Sequence, residues 1–364
     1  MAGGGTGGPV TPLIAVMQEL KKRHNGARFL IAGNKSGLEK EFSRQYGIQY
    51  ANIPAGKFRR YFSFADILAP FLVFAGFIKS IFVIRKFKPD LIFGAGGFVS
   101  VPVMFAAFLM RKKILVHQQD SRASLTNRLV APLADKITVA FQSSLKDFSS
   151  GSGLLADSNK QEQKILWTGN PVRQEFLQKF TVEEIISIKK ENQIDPQMPV
   201  ILILGGATGA SSLNSLILQI LPKLTAFSEI IHLTGKNKRI NFQNAHYRQY
   251  EMSDGLAKLY AISNIVICRA GLGTITELSA TGKPAIAFPM PQSHQLENGQ
   301  ALAEANAAIV LDQTETDGET LLLIARKLMY DGDWQKEISA NVSKLMPKDA
   351  AEKIAAQIEQ LCPE

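Results

Sequence analysis

Histidine and aspartate stand three residues apart in His117-Gln118-Gln119-Asp120, directly after the apolar run Ile114 to Val116. An imidazole and a carboxylate at a strand end can each take a proton from an attacking hydroxyl. A loop histidine bonded to backbone fits the same residues. In Arg269-Ala270-Gly271-Leu272-Gly273-Thr274-Ile275-Thr276-Glu277, small residues lead from a strand into a helix start. Backbone N–H groups there suit a diphosphate, and Glu277, a turn later, can accept from a ribose diol. A tight strand-helix turn with a surface glutamate is the plainer alternative. Gln295 and Asn298 follow another strand end, placed either to hold sugar hydroxyls or to cap the next helix.

Such groups need rigid elements to aim them. Gly3-Gly4-Gly5-Thr6-Gly7-Gly8 opens the chain, and Gly205-Gly206-Ala207-Thr208-Gly209 follows the apolar run Val200 to Leu204. Glycine permits positive φ and close approach of N–H groups to an anion, so each loop reads as a phosphate cradle. Gly94-Ala95-Gly96-Gly97-Phe98 adds a second turn in the first half, as an anion nest or as a tight packing point. Only Met1-Ala2 precedes the first loop, whereas such a loop needs a buried strand to launch it, so an upstream start or a missing strand is expected.

Around these loops strands alternate with helices. Arg28 to Ala32, Leu91 to Phe93, Ile114 to Val116 and Lys164 to Trp167 read as strands in the first half. Helices fall from Pro12, over Leu38 to Tyr46, and over Val101 to Met110. Ser143 to Gln163 is polar and reads as a surface loop. The second half repeats the scheme, with strands Val200 to Leu204, Glu229 to Leu233, Ile265 to Cys268 and Ala285 to Phe288, and helices Ser212 to Leu224 and Thr274 to Ala280. This alternation predicts an α/β protein of two doubly wound parallel-sheet domains facing one cleft. The boundaries fall at 1–170 and 171–347, with a helix capped by Asp349 over 348–364 packing back on the first domain.

Composition narrows the partners. The net charge of +9 favours an anion, whether nucleotide, phospholipid surface or nucleic acid. Cys268 and Cys362 have no paired spacing, which argues against a disulfide framework or cysteine metal site. No secretory leader pattern opens the chain, so a cytoplasmic setting is expected. Lys57, Arg59, Arg60, Lys79, Arg85, Lys86 and Lys88 are interleaved with Phe58, Tyr61, Phe62, Phe71, Phe74 and Phe82. Aromatic bulk beside cations suits a membrane interface, with a buried core helix as the alternative. Pro70, Gly76 and Lys79 argue against a spanning helix over Ile67 to Ile84. No nucleic-acid module is recognisable, so nucleic acid is not expected as a partner.

Jointly and in order, several motifs resemble the MurG family of bacterial glycosyltransferases. They are Gly4-Gly5-Thr6-Gly7-Gly8 with Pro12, Gly96-Gly97-Phe98-Val99-Ser100, His117-Gln118-Gln119, Leu125-Thr126-Asn127, Gly169-Asn170-Pro171-Val172-Arg173, Gly205-Gly206, Asn214, Arg269-Ala270-Gly271 with Glu277, and His294-Gln295 with Asn298. The resemblance implies a GT-B fold and inverting transfer of N-acetylglucosamine from UDP-N-acetylglucosamine to lipid-linked muramoyl-pentapeptide in peptidoglycan synthesis. The enzyme would act without a metal or other cofactor, at the cytoplasmic membrane face, which the region Lys57 to Lys88 would touch. Thr6, Gly7, Gly8, Asp120 and Asn127 would line the site in the first half. Arg173 and Ala207 would lie near the diphosphate, Arg269 would support it, and Ser253 would sit near the uracil. Leu272, Gly273, Thr274, Ile275, Thr276 and Glu277 would bind diphosphate and ribose, and Gln295 and Asn298 the sugar.

The chain departs from that family's pattern where a base is sought. Pro9 stands where the family has His, and Phe98, Gln118, Asp120 and Ala207 stand where Tyr, Glu, Asn and Ser are usual. Proline has no side-chain group that can accept a proton, so Asp120 is the expected base and His117 the second candidate. Two other readings compete: a GT-B transferase with a different lipid acceptor, and a non-catalytic nucleotide-sugar-binding protein at the membrane.

Overall fold

The computed structural model describes residues 1–4, 8–35, 37, 39–56, 64–149, 164–206 and 209–363. Its chain forms two compact units, Met1–Arg173 with Pro347–Glu364, and Gln174–Met346.

In the first unit, β1 (Leu30–Gly33) pairs in parallel with β2 (Gln49–Asn52). A parallel sheet of β3 (Leu91–Gly94), β4 (Lys113–Gln118), β5 (Lys136–Val139) and β6 (Ile165–Trp167) stands beside them. Ala2 joins the two sheets, bridging to Ala32 on one side and to Gly94 on the other. Strand order therefore reverses at Ala2, which puts the start of the first glycine loop at a topological switch point.

Helices cover this sheet. α1 (Thr11–Arg23) buries Leu13 and Val16 against Phe93 and Leu115, and ends in Lys21, Lys22 and Arg23, the favourable sign for a helix C-terminus. α2 (Glu39–Gln45) leads into β2. On the other face, α3 (Phe64–Phe87) and α4 (Ser100–Leu109) pack through Ile84, Val103 and Met104 onto Ile92, Ile114 and Val116. α5 (Leu125–Val130) and the short α6 (Lys146–Ser149) follow.

The second unit carries a six-stranded parallel sheet. Its strands are β7 (Val200–Leu204), β8 (Glu229–Leu233), β9 (Tyr247–Tyr250), β10 (Ile265–Arg269), β11 (Ala285–Phe288) and β12 (Ile309–Val310), ordered β12-β11-β10-β7-β8-β9. β7, β10 and β11 are buried at every position, which is why they read as unbroken apolar runs. The order reverses between β7 and β10, a second switch point. Its helices are α7 (Val182–Glu191), α8 (Ser211–Leu224), α9 (Leu256–Ile262), α10 (Leu272–Thr281), α11 (Gln295–Glu304), α12 (Gly318–Tyr330) and α13 (Gly332–Leu345). α14 (Ala350–Leu361) belongs to the first unit, where Ile354 packs with Leu13 and Val16 of α1.

Three expectations change. Asp349 precedes α14 without capping it: its carboxylate pairs with Lys353 at 3.0 Å instead. The polar stretch from Ser143 begins as a 3-10 turn over Gln142–Leu145 and continues as α6, because Ser144 is buried and Phe148 packs into the core; residues 150–163 lie outside the described part. α3 is neither wholly buried nor free, since Ser80 and Ile84 are buried while Phe71, Phe74 and Phe82 are 64–71% exposed.

Candidate functional site

Each switch point gathers a group of candidate side chains at the carboxyl ends of its strands. In the first unit the two glycine turns press against each other. A side chain at Gly97, which has φ of +83°, would put its Cβ 2.2 Å from the Gly4 carbonyl oxygen. Only glycine satisfies both the positive φ and the contact. Gly8 lies just before α1; Thr6 and Gly7 fall outside the described residues.

His117 sits on β4 with no solvent exposure. Its Nδ1 lies 2.9 Å from Thr138 Oγ1 and its Nε2 3.0 Å from Asn170 Oδ1. Burial pulls its pKa down to about 4, against a smaller upward pull from Asn170. Both nitrogens are thus engaged inside the sheet, and the ring braces β4, β5 and the Asn170 turn; of the two expected bases, this one is built as a support.

Asp120 lies on the loop beyond β4 and is half-buried. The loop is held from below by Gln118, whose Nε2 donates to the carbonyls of Asp120 at 2.9 Å and Arg122 at 2.7 Å. Gln118 Oε1 accepts from Ser124 N and from Asn127 Nδ2. Ser144 Oγ also donates to the Asp120 carbonyl, at 3.2 Å. Asn127, buried on α5, donates to the His117 carbonyl at 3.1 Å, while its Oδ1 has no hydrogen-bond partner among the described residues. That oxygen lies 3.7 Å from the Cβ position of Gly96, against the second glycine turn. Arg173 is buried at the end of this unit.

In the second unit, Gly206 and Gly209 take φ of +79° and +69° after β7. A Cβ on Gly209 would lie 2.4 Å from the Thr234 carbonyl oxygen, so the loop is drawn against the end of β8. Ala207 lies outside the described residues. Asn214 of α8 fastens the arrangement, donating to the Thr234 carbonyl at 3.0 Å and meeting His232 Nε2 at 3.1 Å. Tyr247 OH lies 3.2 Å from His232 Nδ1, and burial lowers this histidine's pKa to about 4 also. Each unit therefore carries a buried neutral imidazole locked between an amide oxygen and a hydroxyl.

α8 and α10 begin without a side-chain cap, at Ala210 and Gly271, as do α9 at Gly255 and α11 at His294, whereas α7, α12 and α13 are capped by Thr181, Asp317 and Asp331. Uncapped N-terminal N–H groups at a glycine turn are ready donors for an anion. Arg269 lies between α8 and α10. Its guanidinium donates to Ser212 Oγ at 2.7 Å and to the Phe288 carbonyl at 3.2 Å, which ties α8 to the ends of β10 and β11. Burial lowers its pKa.

Leu272, Ile275 and Thr276 are buried in the first turns of α10, while Gly273 and Thr274 are half-buried. Glu277 is 8% exposed, and Tyr260 OH donates to its Oε2 at 3.3 Å. Tyr260 is itself fully buried and packs edge-on against Phe176. Gln295 lays its amide beside Gly271, with Nε2 3.8 Å from that residue's Cβ position and Oε1 accepting from Met290 N. Asn298 is wholly buried and donates to the Ala270 carbonyl at 3.2 Å, bracing the same turn from beneath. Ser253 is half-buried, its Oγ accepting from Gly255 N.

Tyr260, His232 and Lys238, which donates to the Gly209 carbonyl at 3.0 Å, escape a reading of the sequence. Tyr260 falls on the buried face of a short helix, and nothing in its spacing pairs it with a carboxylate 17 positions away. Asn214 stood among the family motifs, but the histidine it holds did not.

The glycosyltransferase family 28 N-terminal domain matches residues 1–139, and the family's C-terminal domain matches residues 200–354. A UDP-N-acetylglucosamine-N-acetylmuramyl-(pentapeptide) pyrophosphoryl-undecaprenol N-acetylglucosamine transferase of Borreliella burgdorferi is 35% identical, over 97% of this chain and 94% of the relative. The transferase of the same name from Legionella pneumophila is 33% identical, over 98% and 95%. Among solved structures, Acinetobacter baumannii MurG superposes with a TM-score of 0.68 at 23% identity, over 99% of both chains. UDP-GlcNAc 2-epimerase from Neisseria meningitidis, bound to UDP-GlcNAc, gives 0.67 at 15% identity, over 99% and 98%. The last two likenesses bear on the fold.

Proposed function

Because the chain belongs to the MurG family of glycosyltransferases, we propose that it transfers N-acetylglucosamine from UDP-N-acetylglucosamine to lipid-linked muramoyl-pentapeptide in peptidoglycan synthesis. The observation that carries this reading is the pair of uncapped helix starts, α8 and α10, at the β7/β10 switch point, with Glu277 one turn beyond. That arrangement suits a nucleoside diphosphate: N–H groups for the phosphates and a buried carboxylate for the ribose.

The donor rests on the second unit. Its diphosphate meets the N–H groups of Gly206 and Gly209 and of the first turn of α10, its ribose hydroxyls donate to Glu277, and Gln295 holds the sugar. Arg269 and Asn298 keep the two turns in place. The acceptor hydroxyl attacks the anomeric carbon from the face opposite the diphosphate. A C–O bond forms, the bond from C1 to the phosphate oxygen breaks, and configuration inverts. UDP leaves with the electron pair, and the helix N-termini stabilise that growing charge. Asp120 accepts the hydroxyl proton. No step in this scheme calls on a metal ion.

We further propose that the first unit docks on an anionic membrane surface. α3 exposes Phe71, Phe74, Ile78 and Phe82 along one stripe, and α4 exposes Phe105, Phe108 and Leu109. Lys79, Arg85, Lys86 and Lys88 lie on or directly beyond α3; Lys57, Arg59 and Arg60 fall outside the described residues. Among the described residues no helix is long and apolar enough to cross a membrane. Surface insertion with cationic anchoring fits these elements.

The test is UDP release from UDP-N-acetylglucosamine with and without a lipid-linked muramoyl-pentapeptide. Release that depends on the acceptor is expected. Tight donor binding with no release would instead favour a non-catalytic nucleotide-sugar binder.

A further inference from the structure

Lys238 follows β8 on a tight turn, its N–H donating to the Gly235 carbonyl at 3.1 Å, and its half-buried side chain crosses to the second glycine turn. There the ammonium donates to the Gly209 carbonyl at 3.0 Å. Glycine at 209 makes the crossing possible: a Cβ there would stand 3.0 Å from Lys238 Cδ and 2.4 Å from the Thr234 carbonyl oxygen. Arg239, the next residue, turns to Glu251 at 3.6 Å, whereas Lys238 meets no carboxylate among the described residues. With no carboxylate to neutralise it, the ammonium keeps its field on the peptide it touches.

That bond sets a direction. The carbonyl and N–H of a trans peptide point opposite ways, so fixing the Gly209 oxygen against Lys238 fixes the Ala210 N–H away from it. The Ala210 nitrogen lies across the turn against Gly205, 2.6 Å from that residue's Cβ position. Ala210 also stands at the uncapped start of α8, so its N–H leads the row that the helix presents. A positive charge on the oxygen end of an amide draws electron density from the nitrogen and makes the N–H a stronger donor. Behind the peptide, the Thr234 carbonyl is held in place by Asn214 at 3.0 Å.

We propose that Lys238 is a positioning residue for the donor: it holds and polarises the Gly209–Ala210 peptide so that the Ala210 N–H donates to the diphosphate. The role rests on the donor reading above and adds to it a side chain that touches no part of the donor. Its effect is confined to the phosphates, because the nucleoside rests on other groups. Loss of the ammonium therefore weakens UDP and leaves uridine as it was, whereas loss of mere packing would weaken both alike.

Titration of the full chain with UDP and with uridine tests it, in the unaltered protein, Lys238→Met and Lys238→Arg. Methionine keeps an unbranched stem across Gly209 and removes the charge. In Lys238→Met the UDP affinity should fall about tenfold, as for one hydrogen bond to a charged group, with uridine affinity unchanged. Lys238→Arg retains a cationic donor and should lose no more than about threefold. An equal fall for UDP and uridine, or an Arg variant as weak as the Met variant, overturns the proposal. A Lys238→Met protein that keeps its full preference for UDP also overturns it and leaves the donor reading standing. No preference for UDP over uridine in the unaltered chain would instead bring down the donor reading, and the role of Lys238 with it. Should Lys238→Met not be recovered folded, Lys238→Gln is read in the same way.

Discussion

Tyr260 touches Glu277 and, in the proposed complex, nothing of the donor, so its hydroxyl acts through the carboxylate. A hydrogen bond to a charged group contributes about 1.5–3 kcal/mol. Removing it in Tyr260→Phe should raise the donor KM about tenfold and leave kcat nearly unchanged, because ribose contacts are alike in ground and transition states. Glu277→Ala should cost more. Comparing UDP with 2′-deoxy-UDP sharpens the test: both variants should lose discrimination between the two. If Glu277→Ala loses it and Tyr260→Phe keeps it, the tyrosine is packing alone. For the base, Asp120→Asn should lower kcat on the order of a hundredfold to ten-thousandfold with an unchanged donor KM. An Asp120→Asn enzyme with ordinary turnover would remove Asp120 from proton transfer.

At the scale of elements, α3 divides its labour between two faces. Ser80 and Ile84 look inward, while Phe74 and Phe82 stand 65% and 64% exposed. Burying one such side chain contributes about 1.5–3 kcal/mol. Phe74→Ser with Phe82→Ser should therefore weaken binding to vesicles of anionic phospholipid more than tenfold while the unfolding temperature holds. Vesicle binding equal to that of the unaltered chain would leave the stripe without that role. The sequence made this helix legible as aromatic and basic, but not which face turned outward, because nearly every position is apolar and no 3.6-residue period stands out. Strands buried on both faces, such as β7 and β10, announced themselves as apolar runs. β2 and β9, reading Gln49-Tyr50-Ala51-Asn52 and Tyr247-Arg248-Gln249-Tyr250, did not, since at the sheet edge neither face demands an apolar pattern. Of the site, the glycine turns and Glu277 were legible because backbone geometry and charge restrict residue type there. The ties of Arg269 to Ser212 and of His117 to Asn170 join distant segments, so only folding could show them.

Across the whole molecule, the two buried histidines make acid the weak side of the fold. His117 and His232 stay neutral in the folded protein down to about pH 4, because burial penalises the imidazolium, whereas unfolded histidine takes its proton near pH 6.5. Between these values the unfolded chain binds more protons at both rings than the native one, so their contribution to stability rises with pH from about 4 to 6.5 and is constant above. Each shift corresponds to something on the order of 3 kcal/mol. Carboxylates with ordinary values titrate mainly below about pH 5, so from pH 6.5 to 5 the slope comes from the imidazoles and from the Met1 amine, whose pKa burial lowers to about 5. Urea unfolding across that interval should show the midpoint falling with acid. His117→Gln with His232→Gln should reduce the slope to the share of the Met1 amine, at the cost of a lower midpoint at neutral pH, where the ring's bonds to Thr138 and Tyr247 are lost. The histidines lie in separate units, so each single variant should remove part of the slope and the two parts should add. A slope undiminished in the double variant would assign acid sensitivity to other groups.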